Sequence, residues 1–352
     1  MELLETLCNT PGVPGREHRI RRLIESEIDG LFDEVRTDTM GSLICTRGPR
    51  PPGRKKPAKR PTRVMIAAHM DQIGFLISHV DDKGFIRVVP AGGFDTRNLF
   101  ARLVTICPDV HKPASDLPGV MNPGVKPVHV ADQADRNKVP ELHELFIDTG
   151  LPAEQVNKKV KVGDMVVLRS TFTKVGSSVV SQCLDNRVAC WVAIRALQKL
   201  KHHEAEIIAV FTVQEEVGLR GARTSAYALR PDIGIAVDTT LCVDTPGVPG
   251  EMSVTKHGEG AAITCMDGTS IGDYDLIETF ESLARRKRIK HQRSILPRGG
   301  TDAGTIQAAG PGVRTMTLSV PTRYIHTVTE MVHEDDMHAT RDLLAAYLAE
   351  VK

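Results

Sequence analysis

Strand-length segments that break off at an acid or a histidine constrain this chain more than any other feature. Val64–Ala68 runs into His69-Met70-Asp71, Ile207–Val213 into Gln214-Glu215-Glu216, and Ile233–Val237 into Asp238, while Val313–Val320 is followed a few residues later by His326. Short apolar runs of this kind suit strands buried in a sheet. Between them the period changes to that of a helix. Asn186–Leu200 places Val188, Ala189, Val192, Ala193, Ala196, Leu197 and Leu200 on one side, and Glu17–Leu31 does the same with Ile20, Leu23, Ile24, Ile28 and Leu31. Tyr274–Ala284 reads as a helix capped by Asp273, and Leu343–Val351 as a closing amphipathic helix. Asp38–Thr46 reads as a further strand with a turn at Gly41. Strands alternating with helices predict a three-layer α/β/α domain.

Between Gln72 and Val167 the texture differs. Short alternating runs such as Phe85–Val89 and Leu103–Ile106 are punctuated by Gly and Pro, which predicts a small β-rich domain (72–167) inserted into a larger one made of residues 1–71 and 168–352. The Pro-rich basic stretch Pro49–Pro61 reads first as a solvated loop and second as a docking site for an acidic partner. No internal repeat is visible.

Bulk properties remove several function classes. A formal net charge of +1 over 352 residues gives no global field to recruit nucleic acid or anionic membrane. Aromatics at 4%, with Trp191 alone as tryptophan, argue against a base-stacking surface. No stretch is long and apolar enough to span a bilayer, and the opening MELLETLCNT does not read as a signal peptide. The 7 cysteines are scattered, odd in number and without a CxxC pair, so reduced thiols and a cytoplasmic location are expected.

In an open α/β sheet, ligands gather beyond the carboxyl ends of the strands. His69, Asp71, Glu215, Glu216, Asp238 and His326 all stand at or past such ends, and Asp185 stands just before the strong helix. Each has a bland alternative. An Asp before a helix is usually an N-cap, adjacent glutamates are usually solvated, and a lone His is usually structural. Together they form a set of imidazoles and carboxylates without a thiolate, which suits borderline divalent ions such as zinc or cobalt. Two such ions sit about 3.5–4 Å apart, which calls for one bridging carboxylate and one more kept free as general base.

The chain resembles the M42 metallo-aminopeptidases, the family of the tetrahedral and glutamyl aminopeptidases. The resemblance rests on Ala68–Phe75 (AHMDQIGF), Glu144–Gly150 (ELFIDTG), Leu184–Arg187 (LDNR), Gln214–Ala222 (QEEVGLRGA), Val237-Asp238, Gly299–Gly304 (GGTDAG) and Pro321–Thr327 (PTRYIHT). It implies two divalent metal ions per subunit, zinc or cobalt. One would be held by His69, Asp185 and Asp238, the other by Asp185, Glu216 and His326, with Asp185 as the bridge. Glu215 would be the general base, and Asp71 would orient His69 through its second ring nitrogen. The resemblance also implies short peptides as substrates, and makes 72–167 a barrel-like dimerisation domain of a homo-oligomer, dimer-based or a tetrahedral dodecamer. The family commonly has Asp-Asp-Arg where this chain has Asp185-Asn186-Arg187. Alternatives are a metal-dependent deacylase of small N-acyl substrates, a glycosidase using Glu215 with a second acid, and a non-catalytic shell subunit. The imidazoles count against the glycosidase, and retention of Glu215 against the shell subunit.

Overall fold

The structure is a computed structural model describing residues 1–53, 58, 60–126, 129–133 and 139–352. Residues 54–57 and 59 of the basic stretch lie outside the described residues, so neither reading of that stretch is taken further. The larger body is built on a mixed sheet. Its main path runs β1 (Glu34–Thr37), β2 (Leu43–Arg47), β12 (Glu206–Thr212), β3 (Arg63–His69), β13 (Ile233–Leu241), β16 (Arg314–Arg323), β17 (Glu330–His333), β11 (Ser178–Ser181), β10 (Thr173–Val175). β14 (Ala261–Met266) also pairs with β16 and carries β15 (His291–Ile295) as a side branch. The centre, β12-β3-β13-β16, is parallel.

The period of two along each strand sorts side chains into two cores. Val64, Ile66, Ala68, Ile207, Ala209 and Phe211 face one layer, which includes the helices Leu184–Lys199 and Glu334–Glu350. Met65, Ala67, Ile208 and Val210 face the other, which holds the helices Arg220–Leu229 and Ala303–Gln307. This is the three-layer α/β/α arrangement. Each fully buried Leu, Ile, Val or Phe stabilises it by about 1.5–3 kcal/mol, and Phe211→Ala would remove about 3–5 kcal/mol.

Three element readings need correction. The helix read over Glu17–Leu31 spans His18–Glu27, because Ile28 has left helical geometry and Gly30 turns with φ +72°. An unanticipated helix, Glu2–Asn9, precedes it and buries Leu3, Leu4, Leu7 and Cys8; its first residue offers no side-chain cap to announce it. Asp38–Thr46 is not one strand. Asp38 accepts from the backbone N–H of Gly41 and Ser42 and folds the segment into the turn of the β1–β2 hairpin. The closing helix also starts earlier than Leu343, at Glu334, where His333 accepts from the Asp335 N–H and three acids fill the first turn.

After Asp71 the chain leaves the sheet and forms a closed barrel, β4-β5-β8-β7-β6-β9. The strands are β4 (Gly74–Val80), β5 (Ile86–Ala91), β6 (Arg102–Cys107), β7 (Leu117–Pro123), β8 (Leu145–Asp148) and β9 (Met165–Leu168). Phe75, Ile86, Val104, Met121, Ile147 and Val166 fill it. Val328, just past His326, packs into the same core and ties the barrel to the crevice above the sheet. Among the described residues no helix is long and apolar enough to cross a membrane.

Candidate metal centre

The parallel centre delivers His69, the Glu215-Glu216 pair, Asp238 and His326 to one crevice. β3 ends on His69, β12 ends just before Glu215, and His326 follows β16. Asp238 was read as a strand end but sits inside β13, which stays buried through Thr240 and ends at the exposed Leu241. Asp185 enters from the first turn of Leu184–Lys199, where its backbone is non-helical (φ −75°, ψ 104°). All seven residues singled out in the sequence surround this crevice.

Asp185 stands at the middle. Its Oδ1 is 3.3 Å from His69 Nε2 and its Oδ2 is 3.5 Å from His326 Nε2. Asp238 Oδ1 lies 3.7 Å and Glu215 Oε2 3.8 Å from His69 Nε2, and Glu216 Oε2 lies 3.4 Å from His326 Nε2. Potential ligand atoms of His69, Glu215 and Asp238 lie within 4.8 Å of one another, as do those of His69, Asp185 and Glu216. Asp71 acts mainly on the backbone. Its two oxygens accept from the N–H groups of Glu215 and Glu216 at 3.1 and 3.2 Å. His69 Nδ1 is 3.2 Å from the Asp71 carbonyl oxygen and 3.5 Å from its carboxylate, so the carbonyl is the nearer partner for that ring nitrogen.

The protein's own field around this cluster is strongly negative. Burial alone would lower His69, yet Glu215, Asp185 and Asp238 outweigh it and raise the imidazole well above its ordinary value. Burial also opposes charging of His326, but Asp185 and Glu216 raise it to about 11. Glu215 is raised well above an ordinary carboxylate by burial and by the charges of Asp238 and Glu216, against the pull of His69. Burial and the Asp185 charge raise Asp238 to about 6 against its bonds to His69. Burial pushes Asp185 upward as well, but the two histidines overcome this and hold it low.

Four carboxylates packed on two imidazoles in a buried crevice call for added positive charge. The donor set fits divalent cations on independent grounds. Glu216 Oε1 is buried and has no hydrogen-bond partner. Among the described residues the donors gathered here are nitrogen and oxygen only; the Cys190 thiol is turned to the His69 backbone carbonyl and the Cys183 thiol to the Cys8 carbonyl.

Three buried acids behind the crevice escaped the sequence reading. Glu330 accepts from the Asp185 N–H at 2.9 Å and from the His326 N–H at 2.8 Å. Glu17 accepts from the N–H of Gly15 and Gln214. Asp302, in the GGTDAG segment, accepts from the Thr212 hydroxyl at 2.5 Å, and burial raises it to about 7. At the departure from the family pattern, Asn186 is buried and donates to the Val237 carbonyl at 3.0 Å, one residue before Asp238.

The sequence profile described as M42 glutamyl aminopeptidase matches residues 53–343. The chain belongs to the M42 glutamyl aminopeptidase family. It is similar to the lysyl aminopeptidase of Pyrococcus furiosus, with 32% identity over 100% of this chain and 97% of that protein. Among solved structures it is similar to an aminopeptidase from the archaeon Desulfurococcus kamchatkensis. There the TM-score is 0.91 and the identity 36%, covering 99% of this chain and 94% of the other. It is also similar to the TET1 peptidase of Pyrococcus horikoshii, which can assemble into a tetrahedron or a large octahedral shell. That match has a TM-score of 0.86 and 30% identity, covering 99% of both chains. As a member of this family the M42 chain is a peptidase, and the cluster described above is its candidate reaction centre.

Proposed function

We propose that the chain is a two-metal aminopeptidase that removes the first residue of short peptides. The observation that carries this reading is the division of Asp185, one oxygen toward His69 and the other toward His326. A carboxylate so divided suits a bridge. His69 and Asp238 would complete one ion, and Glu216 and His326 the other. When bound, two such ions supply Lewis acidity that polarises a carbonyl and acidifies a water.

Glu215 is the general base in this reading. Its carboxylate is buried beside the cluster and has a raised proton affinity, as a group that must take and return a proton requires. It takes the proton of the attacking water and returns it to the amine nitrogen as the peptide bond breaks. Asp71 fixes the backbone of Glu215 and Glu216 together, so base and ligand keep a constant offset. The carboxylates of the cluster also give the substrate's α-ammonium a place to dock, which selects chain ends over interior bonds.

Residues 72–167 form the dimerisation domain in this account. Leu103 and Val120, paired in register on the barrel strands β6 and β7, are 56% and 40% exposed and offer apolar side chains to a partner. In this reading the chain is a cytoplasmic, dimer-based homo-oligomer, up to a tetrahedral dodecamer; the support for a tetrahedral shell is that the Pyrococcus horikoshii relative can assemble into a tetrahedron.

Glu215→Gln tests the role assignment. Removing a general base costs about 10²–10⁴ in rate, with both ions still bound by metal analysis. Turnover close to wild type in the metal-loaded variant would falsify the role given to Glu215.

A further inference from the structure

A second cleft lies away from the metal centre, between the start of the helix His18–Glu27 and the barrel. Its volume is about 410 Å³, and none of the residues lining it lines the crevice. Arg16 and His18 line it from the larger body, and Lys161 from the turn that leads into β9. Val110, Val162 and Met165 supply apolar wall.

These three basic side chains have no carboxylate partner among the described residues. The Arg16 guanidinium donates to carbonyl oxygens alone, those of Gly15 at 2.9 Å and Gly163 at 3.2 Å. The Lys161 ammonium is exposed, with no hydrogen bond or ion pair among the described residues. His18 Nδ1 is buried and has no hydrogen-bond partner, and its ring stands edge-on to that of His111 at 5.3 Å.

The acids nearby are engaged elsewhere. Asp164 Oδ2 accepts from the Lys161 N–H at 2.9 Å and closes the turn that carries this lysine. Asp109 Oδ1 accepts from the His111 N–H at 2.8 Å, and its Oδ2 lies 3.7 Å from the Lys112 ammonium. Asp116 takes both of its bonds, 2.6 and 2.7 Å, from Arg19. The field felt by His18 is accordingly positive. Burial lowers its pKa first, and Arg21, His111, Arg16 and Arg22 add to that.

A small dianion would meet donors from both bodies at once. Guanidinium and ammonium groups bind phosphate oxygens by charge-assisted hydrogen bonds. The cleft is roomier than a bare phosphate needs and falls in the size range of small-molecule sites. Its apolar wall suits a short carbon skeleton. We propose that this cleft binds a phosphate group carried by a small monoester, and that the ligand ties the barrel to the larger body. The proposal does not depend on the two-metal reading.

The test is a calorimetric titration of the metal-loaded full-length protein with glycerol phosphate, with inorganic phosphate and glycerol as separate arms. Glycerol phosphate should bind with a Kd below about 1 mM, inorganic phosphate more weakly, and glycerol not at all. A hydrogen bond to a charged group contributes about tenfold to a hundredfold in affinity, so Arg16→Gln and Lys161→Glu should each weaken binding at least about tenfold. Lys161 is exposed and unpaired, so Lys161→Glu should keep the melting temperature of the ligand-free protein. At about a hundredfold excess over Kd the ester should raise the wild-type melting temperature by about 5–10 °C, and that of Lys161→Glu by half as much or less. Inorganic phosphate binding as tightly as the ester would overturn the monoester. Binding of equal strength in wild type and both variants would put the ligand on the metal ions and overturn the site, as would no binding at about 10 mM.

Discussion

Removing Glu330 should damage the metal centre without touching a proposed ligand. The residue is 1% exposed, and its two oxygens hold the backbone N–H groups of Asp185 and His326. Burial and the Asp185 charge raise its pKa, and the Asp185 N–H bond and the His326 charge act in the other direction. His326 has a left-handed backbone, φ +64°, which a histidine adopts only when its surroundings impose it. In Glu330→Ala both N–H groups lose their acceptor. Each unsatisfied buried group costs about 1–3 kcal/mol. Removing a costly buried acid offsets part of that, so a net loss of roughly 2–4 kcal/mol is expected. At ~2–4 °C per kcal/mol for a large domain, the melting temperature should fall by about 5–10 °C. Glu330→Gln keeps one acceptor and should fall in between. Urea unfolding of chelated protein would give the stability change, and calorimetric zinc titration would give the affinity. Zinc should bind more weakly to Glu330→Ala, because the bridge and one imidazole are no longer held. The reasoning fails if Glu330→Ala unfolds within about 0.5 kcal/mol of wild type and takes up zinc with unchanged affinity.

Other outcomes follow from the same geometry. Asp185→Ala should lose both ions by elemental analysis and His326→Ala only one; two ions retained in Asp185→Ala would exclude it as the bridge. Gly221→Ala would place a Cβ 2.5 Å from the Val213 carbonyl oxygen and 2.7 Å from its nitrogen, directly beneath the Glu215-Glu216 turn. Overpacking of this kind costs about 1–3 kcal/mol, measurable by urea unfolding, and an unchanged midpoint would contradict the close approach. His257 is lowered from 6.5 to about 4, by burial first and then by Arg323 and His333. A lowered folded pKa means that the unfolded chain binds the extra proton, so this contribution is present above pH 6.5 and is lost as pH falls toward 4. Melting curves of wild type should therefore drop more steeply than those of His257→Asn across that window, and parallel curves would rule the contribution out.

The layering was legible because the strands announce themselves. Val64–Ala68 and Ile207–Val213 are apolar on both faces, as strands covered by helices on both sides must be. The crevice residues were legible only as a set: each acid or histidine has a bland reading alone, but most of them stand at or past the ends of buried runs, and β12, β3, β13 and β16 lie side by side. What stayed hidden acts over long separations through the backbone. Glu330 meets Asp185 across 145 residues, and Glu17 meets Gln214 across 197. Nothing local in Thr327–His333 marks Glu330 as buried, since a strand of mixed residues reads as half-exposed. The turn at Gly41 was read, but the strand before it, Glu34–Thr37, was missed, because its four residues are all exposed and carry no apolar run, and Asp38 closes the turn by accepting from backbone N–H groups.

The central claim is that two ions held on Asp185 remove residues from free N-termini. Chelator-stripped protein, reloaded with zinc or cobalt in steps, should be incubated with a short unblocked peptide and with its N-acetylated copy, and the products read by mass spectrometry. The account predicts loss of single N-terminal residues from the unblocked peptide alone, with activity complete at two ions per chain. Cleavage of the acetyl group, cleavage within the blocked peptide, or full activity without metal would contradict it.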